Sequence, residues 1–118
     1  MTRLDELLKA VGEPTRLRLL NLLRQGSICV CDLQAVLKIP QPTISRHLAA
    51  LKTAGLVVDA RSATRVIYSL APASTPQLRA LCRFLNTACP YEDVLQSDLT
   101  RFRRAVREGK CRMQPRRA

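Results

Sequence analysis

VCDLQAVLKIPQPTISRHLAAL, residues 30–51, is the stretch on which the fold turns. Its first part starts a short helix near Val30 or Cys31, with Asp32 at the positive end and Leu33, Val36 and Leu37 on one face. Lys38-Ile39-Pro40 must break that helix, because proline disfavours helical backbone in the residue before it. A second helix restarts around Pro42, buries Ile44, Leu48 and Leu51 at i, i+4 and i+7, and closes at Gly55, where a left-handed cap carries no Cβ penalty. Two helices joined by a tight break read as a helix-turn-helix.

Outward from this unit the pattern continues on both sides. Upstream, Leu4 to Val11 predicts an amphipathic helix ended near Gly12. A second helix opens at Pro14 and carries Leu17, Leu19, Leu20, Leu22 and Leu23 to a stop at Gly26. Downstream, from Leu56 to Leu70, Val66, Tyr68 and Leu70 alternate with Arg65, Ile67 and Ser69, which predicts a two-stranded wing. Its tip, Arg61-Ser62-Ala63-Thr64, lacks Gly and Asn, so the expectation is a mobile turn looser than a two-residue hairpin. Ala71 to Pro76 reads as a linker. Two more helical stripes follow, Leu78, Leu81, Cys82 and Leu85 before Pro90, then Leu95, Leu99, Phe102 and Val106; lying outside the helix-turn-helix, they are expected to serve dimerisation. The expected fold is mainly α with a small β-wing, a dimeric winged helix-turn-helix whose terminal helices form the dimer interface. Residues 1–108 are expected to form this domain and residues 109–118 a basic flexible tail.

Composition agrees. The chain has 118 residues, 47% apolar but only 3% aromatic and without Trp, so the core is packed from aliphatic side chains, which suits helices. A core of that size is modest, which favours self-association. The net charge of +11 points to an anionic partner, but it is concentrated: residues 101–118 hold eight Lys or Arg against Glu108, and the first hundred hold twelve against eight acids. The case for nucleic acid therefore rests on the motif. With no apolar run of membrane-span length and no signal-peptide pattern at the start, a cytoplasmic protein is expected. In that compartment Cys29, Cys31, Cys82, Cys89 and Cys111 are expected to be core filler or ligands, not structural disulfides.

The start of the second helix of the pair is the part of such a unit that reaches base edges. Gln41, Thr43, Arg46 and His47 are the candidates, Gln suiting adenine and Arg guanine. With Ile44, Leu48 and Leu51 inward, the outward direction runs through Thr43, Arg46, His47 and Ala50. Ser45, Lys52, Arg61 and Arg65 are assigned to phosphates, which set register without reading sequence. His47 has no second ligand at zinc spacing, so it is assigned to DNA.

Cys29 and Cys31 stand at the beginning of the first helix of the pair, where the helix dipole promotes thiolate. With no local third Cys or His for a closed zinc site, a trivalent metalloid or another soft ion is the matching ligand. Residues i and i+2 of a regular helix point to nearly opposite sides, so joint ligation is expected to keep the first turn unwound and thereby tilt the recognition helix. Cys82 lies on an apolar stripe and reads as core. No Cys-x-x-Cys with a sheet pattern supports an oxidoreductase, and no enzymatic activity is expected.

Gly12-Glu13-Pro14-Thr15-Arg16-Leu17-Arg18-Leu19-Leu20, Cys29-Val30-Cys31-Asp32-Leu33 and Gln41-Pro42-Thr43-Ile44-Ser45-Arg46-His47-Leu48 together resemble the ArsR/SmtB family of metal-responsive repressors, over about residues 4–70. The resemblance implies a homodimer that represses an arsenic or metal resistance operon on double-stranded DNA until trivalent arsenic or antimony binds. It also implies three thiolates. Arsenite sensors of this kind often carry a third Cys three residues after the second, but position 34 is Gln34. Cys111, from the same or the other subunit, is the first candidate for the missing thiolate, and Cys89 the substitute. Redox-responsive and cadmium- or lead-responsive repressors using the same cysteines are the alternatives.

Overall fold

The computed structural model describes residues 3–72 and 75–115. Helix α1, Leu4–Val11, has Asp5 and Glu6 in its first turn and Lys9 in its last, the arrangement its dipole favours. Helix α2, Pro14–Leu23, takes Pro at its first position, and the Glu13 carboxylate accepts from the Arg16 N–H at 2.9 Å. Leu19, Leu20, Leu22 and Leu23 are fully buried, so α2 is the axis of the core.

Helix α3, Val30–Leu37, ends on Lys38 in the left-handed conformation, whose N–H reaches the Gln34 carbonyl. Helix α4, Gln41–Thr53, follows after three residues. Its C-terminus is a Schellman motif: Gly55 has φ of 79°, its N–H donates to Lys52 O, and the Leu56 N–H donates to Leu51 O. Helices α5, Pro76–Ala88, and α6, Asp93–Arg107, are joined by a 3-10 turn at Cys89–Tyr91. Thr75 caps α5 by accepting from Leu78 N, and this helix starts where the linker was expected to end.

Four strands form one antiparallel sheet in the order β2-β3-β1-β4. Strands β2, Val57–Ser62, and β3, Arg65–Leu70, are the wing. Strand β1, Gly26–Cys29, was not expected; four residues leave too little alternation to read, and it is strand because Ile28 and Cys29 pair with Tyr68 and Ile67. The wing tip also differs from expectation. Ser62 pairs with Arg65, so the turn is the two residues Ala63 and Thr64, with Ala63 at φ of 55°. Left-handed backbone costs a non-glycine residue about 1–2 kcal/mol, and six registered pairs hold the turn there.

The C-terminal segment corrects the expected boundary at residue 108. Gly109, φ 73°, ends α6 in a second Schellman motif, with Gly109 N on Val106 O and Lys110 N on Ala105 O. The chain turns back, buries Cys111 and runs as β4, Met113–Pro115, along β1. Strand pairing holds a segment that composition alone marks as solvated; residues 116–118 of the expected tail lie outside the described residues. Nothing lies within 4 Å of a Cβ built on Gly109, so Gly109→Ala should cost only backbone strain, about 1 kcal/mol. The readout is Cys111: its alkylation by iodoacetamide is expected to be faster in that variant, because the segment holding it opens more often.

Helix α6 packs on α2 and α3, burying Leu95, Leu99 and Phe102 within the chain. Its stripe is thus spent inside the protomer. Exposed apolar side chains remain at Leu4 and Leu8 of α1, Phe84 of α5, Tyr91, and Val94 of α6. At the α2–α6 contact lies a polar cluster that periodicity did not show. Asp98, with no exposed surface, accepts from Arg18 Nε at 2.8 Å, Arg18 Nη2 at 3.0 Å and Arg101 Nη2 at 2.7 Å. Those hydrogen bonds raise the pKa of the Arg18 guanidinium.

Candidate nucleic-acid interface and cysteine centre

Ile44, Leu48 and Leu51 are fully buried, which turns Gln41, Arg46, Ala49 and Lys52 of α4 to solvent, with Thr43, Ser45 and Ala50 half-buried. Gln41 Nε2 donates to Ser45 Oγ at 3.1 Å, one turn on. Arg46 and, on the wing, Arg61 are exposed and free of ion pairs among the described residues. Two other cationic candidates are already paired: Lys52 Nζ lies 2.8 Å from Asp59 Oδ1, and Arg65 Nη2 lies 3.4 Å from Asp32 Oδ2. The hydrogen bond to Asp59 raises the Lys52 pKa and lowers that of Asp59.

His47 is not where the outward-facing assignment put it. Its side chain is 12% exposed, its Nδ1 accepts from Arg16 Nε at 3.2 Å, and Glu13 Oε2 is 3.6 Å away. The reason is helical phase: position 47 is three residues after Ile44 and four before Leu51, on the edge of the buried stripe. It fastens α4 to the start of α2.

Cys29 is buried and Cys31 exposed. Cys29 caps α3 in extended conformation, φ −76° and ψ 153°, and its Sγ accepts from the Asp32 N–H at 3.3 Å. This corrects two expectations. The first turn of α3 needs no unwinding, because Cys29 already stands outside the helix and its sulfur is free to turn toward Cys31. The pair is also not two separate thiols: Cys29 and Cys31 are joined as a disulfide, their Cα atoms 5.4 Å apart, a separation that permits the bond. The dithiol is the form that takes a soft ion.

The ligand atoms of Cys29, Cys31 and Asp32 all lie within 4.8 Å of one another, a donor set of two sulfurs and one oxygen. Asp32 was not singled out as a ligand. The signal available was a carboxylate directly after the second cysteine.

Cys111, in the same chain, lines with Asp32 a cavity of about 180 Å³ between α3 and α6. Burial first, then the Asp32 charge and hydrogen bond, push its thiol up to about 12, so near neutral pH it is held as the thiol. Neither Cys111 nor the substitute Cys89, buried in the 3-10 turn between α5 and α6, belongs to the three-residue cluster. Cys82 is half-buried and packs against the core, as expected of its stripe.

The two features share one space. A cleft of about 580 Å³ between α3, α4 and the wing is lined by Cys31, Gln41, Ser45, Arg61 and Arg65. A helix-turn-helix with an exposed polar helix start, flanked by a basic hairpin, defines a winged helix-turn-helix DNA-binding protein.

The profile of bacterial regulatory proteins of the arsR family matches residues 13–58. Over 64 residues the chain is 52% identical to an uncharacterised HTH-type transcriptional regulator of Methanocaldococcus jannaschii, covering 53% of this chain and 72% of that one. It is 45% identical over 65 residues to an arsenic resistance transcriptional regulator of Pseudomonas putida, covering 54% of this chain and 51% of that one, so it spans about half that relative's length. The homodimeric winged helix-turn-helix DNA-binding domain of a Mycobacterium bovis protein superposes with a TM-score of 0.62 at 32% identity, over 71% of this chain and 78% of that one. The chain belongs to the ArsR family of transcriptional regulators, DNA-binding proteins and not enzymes.

Proposed function

We propose that the chain is a homodimeric repressor that holds double-stranded operator DNA through α4 and the wing, and releases it when trivalent arsenic or antimony takes the thiolates of Cys29 and Cys31. The observation that carries this reading is the clustering of that pair with Asp32, with Cys31 in the lining of the cleft between α3, α4 and the wing. Two soft sulfurs suit a thiophilic trivalent centre, with a hydroxyl oxygen as its third group in place of the Cys absent from position 34. Within α4, Gln41, Thr43 and Arg46 face the bases, and Ser45 and Lys52 of α4 with Arg61 and Arg65 of the wing face phosphates. His47 positions the helix. A DNA-bound regulator works in the cytoplasm, and among the described residues no helix is long and apolar enough to cross a membrane.

Arsenite titration of a fluorescent duplex bound to the protein tests the inducer. Cys31→Ser is expected to bind the duplex as the wild type does and to stay bound at arsenite concentrations that release the wild type. Release of both at the same dose would remove the assignment. The disulfide favours a second reading, in which a peroxide oxidises the dithiol, two thiols giving one disulfide as the peroxide is reduced. Under that reading peroxide releases the duplex and arsenite does not.

The dimer is supported by the exposed apolar side chains of α1, α5 and the turn between α5 and α6. The M. bovis relative is a homodimer. Sedimentation is expected to give a dimer for the wild type, and Phe84→Asp a monomer with weakened binding to a two-half-site duplex.

A further inference from the structure

We propose that Asp32 couples the cysteine pair to the wing, so that occupancy of the sulfurs is felt by the DNA interface through Arg65. This rests on the arsenite reading above and adds the route by which the site would act.

The contacts converge on one carboxylate. The Asp32 N–H donates to Cys29 Sγ, and its side chain lies within 4.8 Å of both sulfurs. Its Oδ2 accepts from Arg65 Nη2 at 3.4 Å and from the Arg112 N–H at 3.1 Å. Arg65 opens β3 and pairs with Ser62 across the hairpin turn, so the ion pair braces the outer end of the wing against the start of α3. Two residues further along β3, Ile67 pairs with Cys29 itself. The cysteine centre and the wing are therefore joined twice, at Cys29 by the sheet and at Asp32 by this ion pair. Only the ion pair can be broken without unravelling the strand.

The chemistry sets the direction. A small cellular dithiol first reduces the Cys29–Cys31 disulfide, supplying two electrons and two protons and leaving as its own disulfide. Arsenous acid and the two thiols then condense to a dithiolate that keeps one As–OH, with loss of two waters and no change in the oxidation state of arsenic. That remaining hydroxyl is a donor beside the sulfurs, and the Asp32 carboxylate is the acceptor within reach. A carboxylate turned toward it leaves Arg65. The wing then loses its brace, and the order it had in the free protein must be restored when DNA binds, which lowers affinity. Tilting of α4 is not required, because Cys29 ligates from outside α3.

The test measures the duplex Kd with and without saturating arsenite, and takes the ratio in each variant so that any change in basal affinity cancels. Free-thiol titration counts sulfurs consumed. In the wild type the ratio is expected in the usual range of allosteric coupling, about 5–150-fold, and to fall below about twofold in Asp32→Asn and in Arg65→Gln. In both variants arsenite should still consume two thiols.

If Asp32 were only a ligand, Asp32→Asn would need more arsenite but reach the wild-type ratio at saturation, which overturns the coupling. A wild-type ratio in Arg65→Gln overturns it independently, and so does an increased ratio in either variant. These outcomes leave the inducer assignment standing. If the wild type consumes no thiols, or Cys31→Ser is released equally, the inducer assignment fails and the coupling falls with it.

Discussion

Replacing Asp98 by alanine is expected to lower the stability of the fold by about 3–5 kcal/mol, the effect of removing one partner from a buried ion pair. The carboxylate has no exposed surface and receives three hydrogen bonds from two arginines on α2 and α6. Without it, two guanidiniums face each other across the contact that holds α6 onto α2. Domains of this size carry about 5–15 kcal/mol in total, so the variant should be near its unfolding midpoint at physiological temperature. Urea denaturation followed by circular dichroism measures the loss. The comparison that isolates the charge is the triple substitution Asp98→Leu, Arg18→Met and Arg101→Leu, expected to recover most of the stability, because apolar side chains of similar volume need no partner. A loss below about 1 kcal/mol for Asp98→Ala would place the cluster among surface ion pairs of little consequence.

The second large effect is on DNA. Arg46 is the exposed cation of α4 that no carboxylate neutralises among the described residues. If it reads a guanine, Arg46→Ala is expected to weaken binding to the preferred duplex by about 1–3 kcal/mol, roughly 5- to 160-fold, and to relax discrimination at one base pair. Lys52→Ala should instead weaken all duplexes alike and lower the salt slope by about one charge. Its effect is further reduced because Asp59 already holds the ammonium. Competition binding against single-base variants of the duplex separates the two roles. Equal loss on every variant would reassign Arg46 to a phosphate.

Much of the architecture is legible without coordinates because its signals are local. Pro14, the break before Gln41, the Ile44, Leu48 and Leu51 stripe and Gly55 each act through neighbours within one or two turns, and each helix begins or ends where they put it. The alternation from Val66 to Leu70 works in the same way for the wing. The cysteine pair was legible as a pair, though its geometry was not, because where the helix starts relative to Cys29 decides whether the two sulfurs can meet.

Strands β1 and β4 are each too short to announce themselves, and exist only because partners far along the chain complete their hydrogen bonds. His47 sits by helical phase at the edge of the buried stripe, but the partners it meets there, Arg16 and Glu13, lie thirty or more residues away. Asp32 reads as an ordinary first-turn acid until Arg65 and Arg112, from two later segments of the chain, meet it. Periodicity and backbone propensity act over a few residues, and so the order and kind of most elements are written in the chain itself. Where a carboxylate finds its cation, which cysteine is buried and whether a basic terminus docks depend on surfaces that meet only after those elements pack. Electrostatic pairing and strand addition have no fixed spacing in sequence, and in this protein the coupling at the cysteine centre depends on both.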